Sequence, residues 1–293
     1  MSIRTESFDD ARAAIAFLED LAYAKRDYIF RGHTDSRHLL ETSLSRFKII
    51  PYDQWGTHID GLINDFRVGL AKIGIVPFDS SDRHTWLEYA RHHGVPTPCL
   101  DFTYSPYIAL FFAFNNELEG IRYYKEIEGN EVVVYALNVR ELAGAWARSL
   151  ADSNAETEEY KRAVREFLYP LRTLFKHSFP TGILQFIPYP SKLNKRMQRQ
   201  QGALLYDTLD YRKMGYDGFE EFIGGIKEGN GEAALIKMRI SKQCLPRILE
   251  RLELMGITGG MLYQDADGVA MDVINSYYYN PKTGYLRDIF FPR

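Results

Sequence analysis

The chain has 293 residues, enough for one large domain or two ordinary ones, and its hydrophobic share of 45% and aromatic share of 14% supply apolar surface for a real core. A formal charge of −3 excludes a surface that is basic all over, and with it bulk attraction to nucleic acid, while leaving room for a local basic groove. Two cysteines, Cys99 and Cys244, exclude a disulfide framework, and no CxxC pair stands ready to hold zinc.

The opening segment MSIRTESFDDARAA lacks the basic flank, apolar run and cleavage site of a signal peptide, and no window reaches the roughly 18 apolar residues that span a bilayer. The expected compartment is the cytoplasm, with no membrane partner. Residues 8–24 place apolar side chains at helical spacing, with Asp9 or Asp10 as N-cap. DYIFRGH at 27–33 reads as a short buried strand ending in a turn at Gly32, and LLETSLSRF at 39–47 as a loop or short helix. Pro51 to Gly74 carries Trp55, Ile59, Ile63, Phe66, Leu70 and Ile73 on one helical face. A third helix runs from about Asp82 to His93, with Gly94 at the C-cap position and Pro96 behind it.

Ser105-Pro106 is a helix start, and YIALFFAFNNEL after it is apolar on nearly every face in its first half, so it belongs at the centre. EVVVYALNV at 131–139 is a buried strand, and 155–176 a charged surface helix. ILQFIPY, GALLYDTL and AALIKMRI are further strands, and SKQCLPRILERLELMGI a helix capped by Ser241 and closed near Gly256. With no repeat and no long linker, these elements predict an α+β fold. The expectation is a single mixed domain with a mostly antiparallel sheet flanked by several helices. An N-terminal helix (1–26) packs on a domain over 27–270, and a tyrosine-rich extension (271–293) follows.

Four segments carry candidate chemistry. Arg31 at the end of a buried strand, followed by Gly32, presents a planar cation suited to phosphate or carboxylate, or else pairs with a core carboxylate. His92 and His93 end one helix while Asp101 and Thr103 precede the next, so they are expected to converge on a loop-lined cleft. There His92 serves as a donor or general acid/base, or the histidines simply favour the negative end of the helix dipole. His92, His93 and Asp101 lack a recognised metal-ligand spacing, so no metal site is expected. Asn194 to Gly202 sets three cations and three glutamines before a strand, fit for anion contact or for a solvated basic turn. Asp265-Ala266-Asp267-Gly268 is half a calcium loop without its later ligands, hence a turn.

In this order the segments resemble the FRG-domain family. FRGH at 30–33 matches the motif behind its name, and RHHGVPTPCLDFTYSPYIALFFA at 91–113 resembles its QHxGxPTxLLDxTxxPxxALxFA block. KRMQRQQGAL at 195–204 is similar to its R-x-x-x-Q-x-G-x-F element, and ILERLELMGITGGMLYQDADGVA at 248–270 to its helix-turn block. Arg91 stands where the family has glutamine, and Pro98 where it has arginine. The resemblance implies an effector of bacterial defence, prophage or toxin systems. A remoter likeness to ADP-ribosyltransferases, in Arg31-Gly32 on a first strand, implies a nucleotide-binding cleft with NAD as cofactor.

On that reading Arg31 clamps the pyrophosphate, and His92 with Thr97 holds the ribose. Asp101 orients His92 or bears on the developing cation, and Gln201 contacts ribose or acceptor. Gly32, Thr103, Arg196 and Gln200 complete the binding set. Gln200-Gln201-Gly202 stands where the catalytic glutamate is expected, and glutamine lacks the charge that stabilises an oxocarbenium-like state, so either Asp101 substitutes or Glu220 or Glu221 folds in. The acceptor is nucleic acid or protein. The alternatives are a nuclease or phosphodiesterase, with Arg31, Arg91, Arg196 and Arg199 on phosphates, and a non-catalytic module that senses a phage component or nucleotide.

Overall fold

The structure, a computed structural model, describes residues 3–24, 27–46, 52–79, 81–123, 130–151, 157–169, 175, 179–189, 191–225 and 233–278. The chain opens with a strand that periodicity did not reveal. β1 (Ile3–Phe8) is half exposed at the sheet edge, so its sequence IRTESF lacks the apolar alternation of a strand with a buried face. Helix α1 (Ala11–Ala24) follows, with Asp10 Oδ1 accepting from Ala13 N at 2.9 Å. β2 (Tyr28–His33) runs straight through Gly32, where the sequence had suggested a turn. Gly32 is needed for close approach instead, since a Cβ there would lie 2.1 Å from the Ala109 carbonyl oxygen.

A short helix α2 (Ser43–Arg46) is capped by Thr42, whose Oγ1 accepts from Ser45 N at 3.0 Å. α3 (Trp55–Lys72) buries Trp55, Ile59 and Ile63, and the Pro51 assigned to its start lies outside the described residues. α4 (Arg83–His92) begins at the Asp82 cap and closes before Gly94, whose φ of 82° only glycine adopts freely. The segment expected to be loop next is β3 (Cys99–Thr103). Its prolines at 96 and 98 disguise it, because both precede the first residue that must donate to a ladder.

α5 (Pro106–Tyr123) is the central helix, with Ile108, Ala109, Leu110, Ala113 and Phe114 fully buried. β4 (Glu131–Asn138) leads directly into α6 (Val139–Ala151), which the sequence reading missed because no breaker separates strand from helix. Asn138 makes the transition, its Oδ1 accepting from Arg140 N and Glu141 N at 3.1 Å each. α7 (Glu158–Leu168) lies within the helix expected over 155–176 and ends at its C-cap Tyr169; of that range, residues 155–156, 170–174 and 176 lie outside the described set. β5 (Leu184–Ile187), α8 (Lys195–Arg199), β6 (Gly202–Asp207), α9 (Phe219–Gly225) and β7 (Leu235–Ser241) come next. α10 (Leu245–Leu254), α11 (Gly259–Tyr263) and α12 (Ala266–Tyr278) follow. Asp265 caps the turn into α12 by accepting from Gly268 N at 2.8 Å, as the turn reading of that motif requires. Most of the tyrosine-rich end lies outside the described residues. Among the described residues no helix is long and apolar enough to cross a membrane.

The fold is α+β. Among the described residues seven strands form one sheet in the order β1-β7-β4-β2-β3-β6-β5, antiparallel throughout except for the parallel pair β1 and β7. One face is continuous: Ile29, Leu100, Phe102, Val133 and Leu205 pack beneath α6, α7 and α9. The other face is divided into two cores. Phe30, Val132, Val134 and Met238 lie under α1, α5 and α10, while Cys99, Leu204 and Tyr206 lie under α3 and α4. The division falls between β2 and β3, where Phe30 and Thr103 form the single paired register. Beyond that pair the ladder opens.

Candidate ligand-binding cleft

The opening between β2 and β3 is a cavity of about 220 Å³. Gly32 and Phe30 floor one side and Asp101, Phe102 and Thr103 the other. Phe112 from α5, His92 from α4 and Arg196, Met197 and Gln200 from the α8 segment form the walls. The side-chain period of two places Arg31 on the opposite sheet face from Gly32. The missing ladder lets its guanidinium reach across, so that Nη1 donates to the Asp101 carbonyl oxygen at 2.6 Å. Its Nε donates to His33 Nε2 at 2.7 Å. Arg31 is therefore fixed at two nitrogens, Nε and Nη1.

Electrostatics sort the charged groups. Burial and then Arg91 lower the Arg31 pKa to about 10, so it remains a cation at neutral pH. His33 is pushed down to about 2 by burial, then by Arg31, His38 and Arg46; it is neutral and accepts the Arg31 hydrogen bond. Burial works to raise the Asp101 pKa, but Arg91, by charge and by its hydrogen bond from Nε to Oδ1, holds it below the ordinary carboxylate value, helped by Arg31 and His92. Among the described lining residues Asp101 is the one carboxylate, and it is ionised. Burial brings His92 down to about 4 against the pull of Asp101, with Arg196 and Arg91 adding to the fall, so its imidazole is uncharged at neutral pH.

The α8 wall is built by a buried acid. Glu88, 1% exposed and one turn before His92 on α4, accepts from Ser191 N at 3.0 and 3.1 Å and from Asn194 Nδ2 at 3.2 Å. Asn194 in turn caps α8 by accepting from Met197 N at 3.1 Å. This clamp sets Arg196 and Gln200 opposite Arg31. Arg196 stacks on the Tyr263 ring of α11, 4.5 Å from guanidinium carbon to ring centroid. Its Nε, the Arg199 Nε and the Gln200 Nε2 are buried and have no acceptor. Gln200 is 7% exposed.

The structure thus gathers Arg31, Gly32, His92, Asp101, Thr103, Arg196 and Gln200 around one cavity. Thr103 contributes framework: its Oγ1 donates to the Gln200 carbonyl at 2.7 Å and accepts from Ser105 N at 3.0 Å. Two expected residues stand off the cavity. Thr97 is fully buried behind it, its backbone tied to Ser43 Oγ. Gln201 is exposed at φ 47°, and its carbonyl accepts from Tyr104 N at 2.9 Å. His93 does not join His92 either; it caps α4 and packs on Tyr89, ring centroids 4.5 Å apart. Arg91 is committed to Asp101, and Arg199 Nη2 to the Tyr263 carbonyl at 3.4 Å, so neither lines the cleft. Sequence reasoning missed Glu88, Tyr263 and the tie from His33. Only the last left a signal, two residues from Arg31 on the same strand face.

No curated protein and no solved structure matches the chain. A family model described as the FRG domain matches residues 26–120, which hold Arg31, His92, Asp101, Thr103 and Phe112 but stop short of the α8 wall. Over residues 26–120 the chain carries an FRG domain.

Proposed function

We propose that the cleft binds a phosphate-bearing nucleotide and that NAD is the ligand class it serves, in an ADP-ribosyltransferase-like effector. The observation that carries the reading is a surplus of donors. Arg196 Nε and Gln200 Nε2 are buried without acceptors, and beside them the Arg31 cation makes its hydrogen bonds through Nε and Nη1. An unsatisfied buried donor costs about 1–3 kcal/mol, so a site that holds several together is organised for an acceptor-rich anion. Phosphate oxygens meet that demand, and planar guanidinium matches them bidentately.

The residues fit one end of a dinucleotide. The cavity lies below the roughly 300–1,000 Å³ of pockets that enclose a whole drug-sized ligand, so it grips a phosphate and one ring while the rest lies in the mouth. Arg31 and Arg196 take the phosphates, and Phe112 offers a ring face. His92, neutral, hydrogen-bonds a ribose hydroxyl; a pKa of about 4 makes it a poor general base, which weighs against nuclease chemistry. Bound NAD supplies the nicotinamide–ribose bond that ADP-ribosyl transfer breaks. On this reading Asp101, the one carboxylate among the described lining residues, would bear on a developing positive charge through the oxygen that Arg91 leaves open, with Gln201 outside the cavity.

The test is thermal stabilisation by NAD, ADP and inorganic phosphate, with nicotinamide release followed in parallel against an Arg31→Ala control. Stabilisation by NAD and ADP, lost in the variant, supports the binding reading, and release lost with it supports the transfer reading. A melting temperature unmoved by all three ligands removes both.

A further inference from the structure

A second feature adjoins the cleft. Tyr104 directly follows the lining residue Thr103, and its hydroxyl donates to the Pro188 carbonyl at 3.0 Å, next to Tyr189. Gln185 of β5 binds the last turn of α7 through Nε2, donating to the Glu166 and Phe167 carbonyls at 3.0 and 2.6 Å, which brings Tyr169 to the same corner. Burial and then the neighbouring Tyr189 and Tyr169 push the Tyr104 hydroxyl up to about 12. The three rings are 39%, 67% and 75% exposed for Tyr104, Tyr169 and Tyr189, a grouping of large aromatics that solvent-facing surface rarely collects by chance.

The segment that follows Tyr189 in the chain carries charge of one sign. Residues 188–201 hold Lys192, Lys195, Arg196 and Arg199 and no acid, in a chain whose net charge is −3. Lys192 and Lys195 are exposed and do not line the cavity. On the other flank α7 is balanced, with Lys161 on Glu158 and Arg162 on Glu166. Aromatic rings set against exposed cations match the chemistry of unpaired bases on a polyanionic backbone. Duplex nucleic acid, whose bases are stacked on each other, offers nothing to the rings.

We propose that the Tyr104, Tyr169 and Tyr189 corner, with Lys192 and Lys195, is a docking platform for single-stranded nucleic acid, laid so that one nucleotide reaches the mouth of the cleft. Docking stands on the tyrosines and lysines alone; placing the strand's nucleotide at the cleft rests on the nucleotide reading above.

Fluorescence anisotropy of labelled short single strands and a matching hairpin duplex, over a salt series, tests it. The full chain is expected to prefer the single strand. Base–aromatic stacking of about 1–3 kcal/mol per base makes a Tyr169→Ser/Tyr189→Ser variant at least about tenfold weaker. Lys192→Gln/Lys195→Gln is expected to flatten the salt slope by about 1.4, two contacts at roughly 0.7 each. Tyr23→Ser, at an 84% exposed tyrosine on α1, is the control expected to bind as the parent does. All of these side chains are exposed, and unchanged melting temperatures confirm that the variants fold. Equal binding by the tyrosine variant and the control overturns the platform. Failure of the parent chain to bind single strands at low salt overturns it too, and turns this face toward a protein partner. The two readings separate cleanly: strands bound through the tyrosines while NAD and ADP leave the melting temperature unmoved support the platform and remove the cleft's nucleotide role. The converse result does the reverse.

Discussion

Gln200 carries an amide donor that is buried without an acceptor, an arrangement that weakens the free protein and that, on the nucleotide reading proposed above, a ligand oxygen would relieve. Function and stability should therefore move in opposite directions at this residue. Gln200→Met keeps the volume and removes the orphaned donor; we expect it to stabilise the free protein by about 1 kcal/mol in a denaturant titration while weakening nucleotide binding. A variant that loses stability would mean the amide is satisfied in solution. Arg31 behaves differently, because His33 and the Asp101 carbonyl depend on it. Gly32 is different again: Gly32→Ala forces a Cβ into Ala109 and Ala113 and should cost about 3 kcal/mol whether or not ligand is present. A melting temperature within a degree or so of the parent would show that α5 yields more easily than its packing implies.

Glu88 decides where α8 sits. Its carboxylate accepts from Ser191 N and Asn194 Nδ2, so Glu88→Ala leaves both donors without that partner. We expect a loss of about 3 kcal/mol, together with loss of nucleotide binding, since Arg196 and Gln200 are then no longer held opposite Arg31. Hydrogen exchange at residues 191–200 is the direct readout; unchanged protection there would contradict the clamp. This part of the site was hidden in the sequence. A lone glutamate inside an amphipathic helix looks like any surface acid, and nothing local says that the 191–194 turn lies against it. The helix starts at Asp82 and Ser105-Pro106, the glycine stop at 94 and the long apolar runs were legible, because they depend on neighbours in sequence. β1 and β3 were not. The first is an edge strand without alternation, and the second hides behind two prolines. The split between β2 and β3, which makes the cleft, arises from register between distant strands and leaves no local trace.

Across the whole molecule, acid stability follows from buried histidines. His92 at about 4 and His33 at about 2 lie below the ordinary value of 6.5, so the unfolded chain binds more protons than the folded one as pH falls below about 6.5. The stability they confer is present above that pH and is lost as pH falls through their folded values. Asp207 opposes them: burial raises it to about 7, so its ionisation weakens the fold as pH rises from about 4 to 7. Two groups outweigh one, and we expect the melting temperature to fall on acidification from pH 6.5 to pH 4, with His33→Gln flattening the decline. A curve that rises over this range would mean that Asp207 dominates.

The donor-rich cleft is the centre of the account, and calorimetric titration of ADP into the parent chain and Gln200→Met tests it most directly. We expect measurable binding to the parent and affinity weaker by about tenfold in the variant, the value of roughly one charge-assisted hydrogen bond, even though the variant melts higher. Absence of binding to the parent, or equal affinity in the two proteins, would contradict the claim that the cleft is built to receive a phosphate-bearing nucleotide.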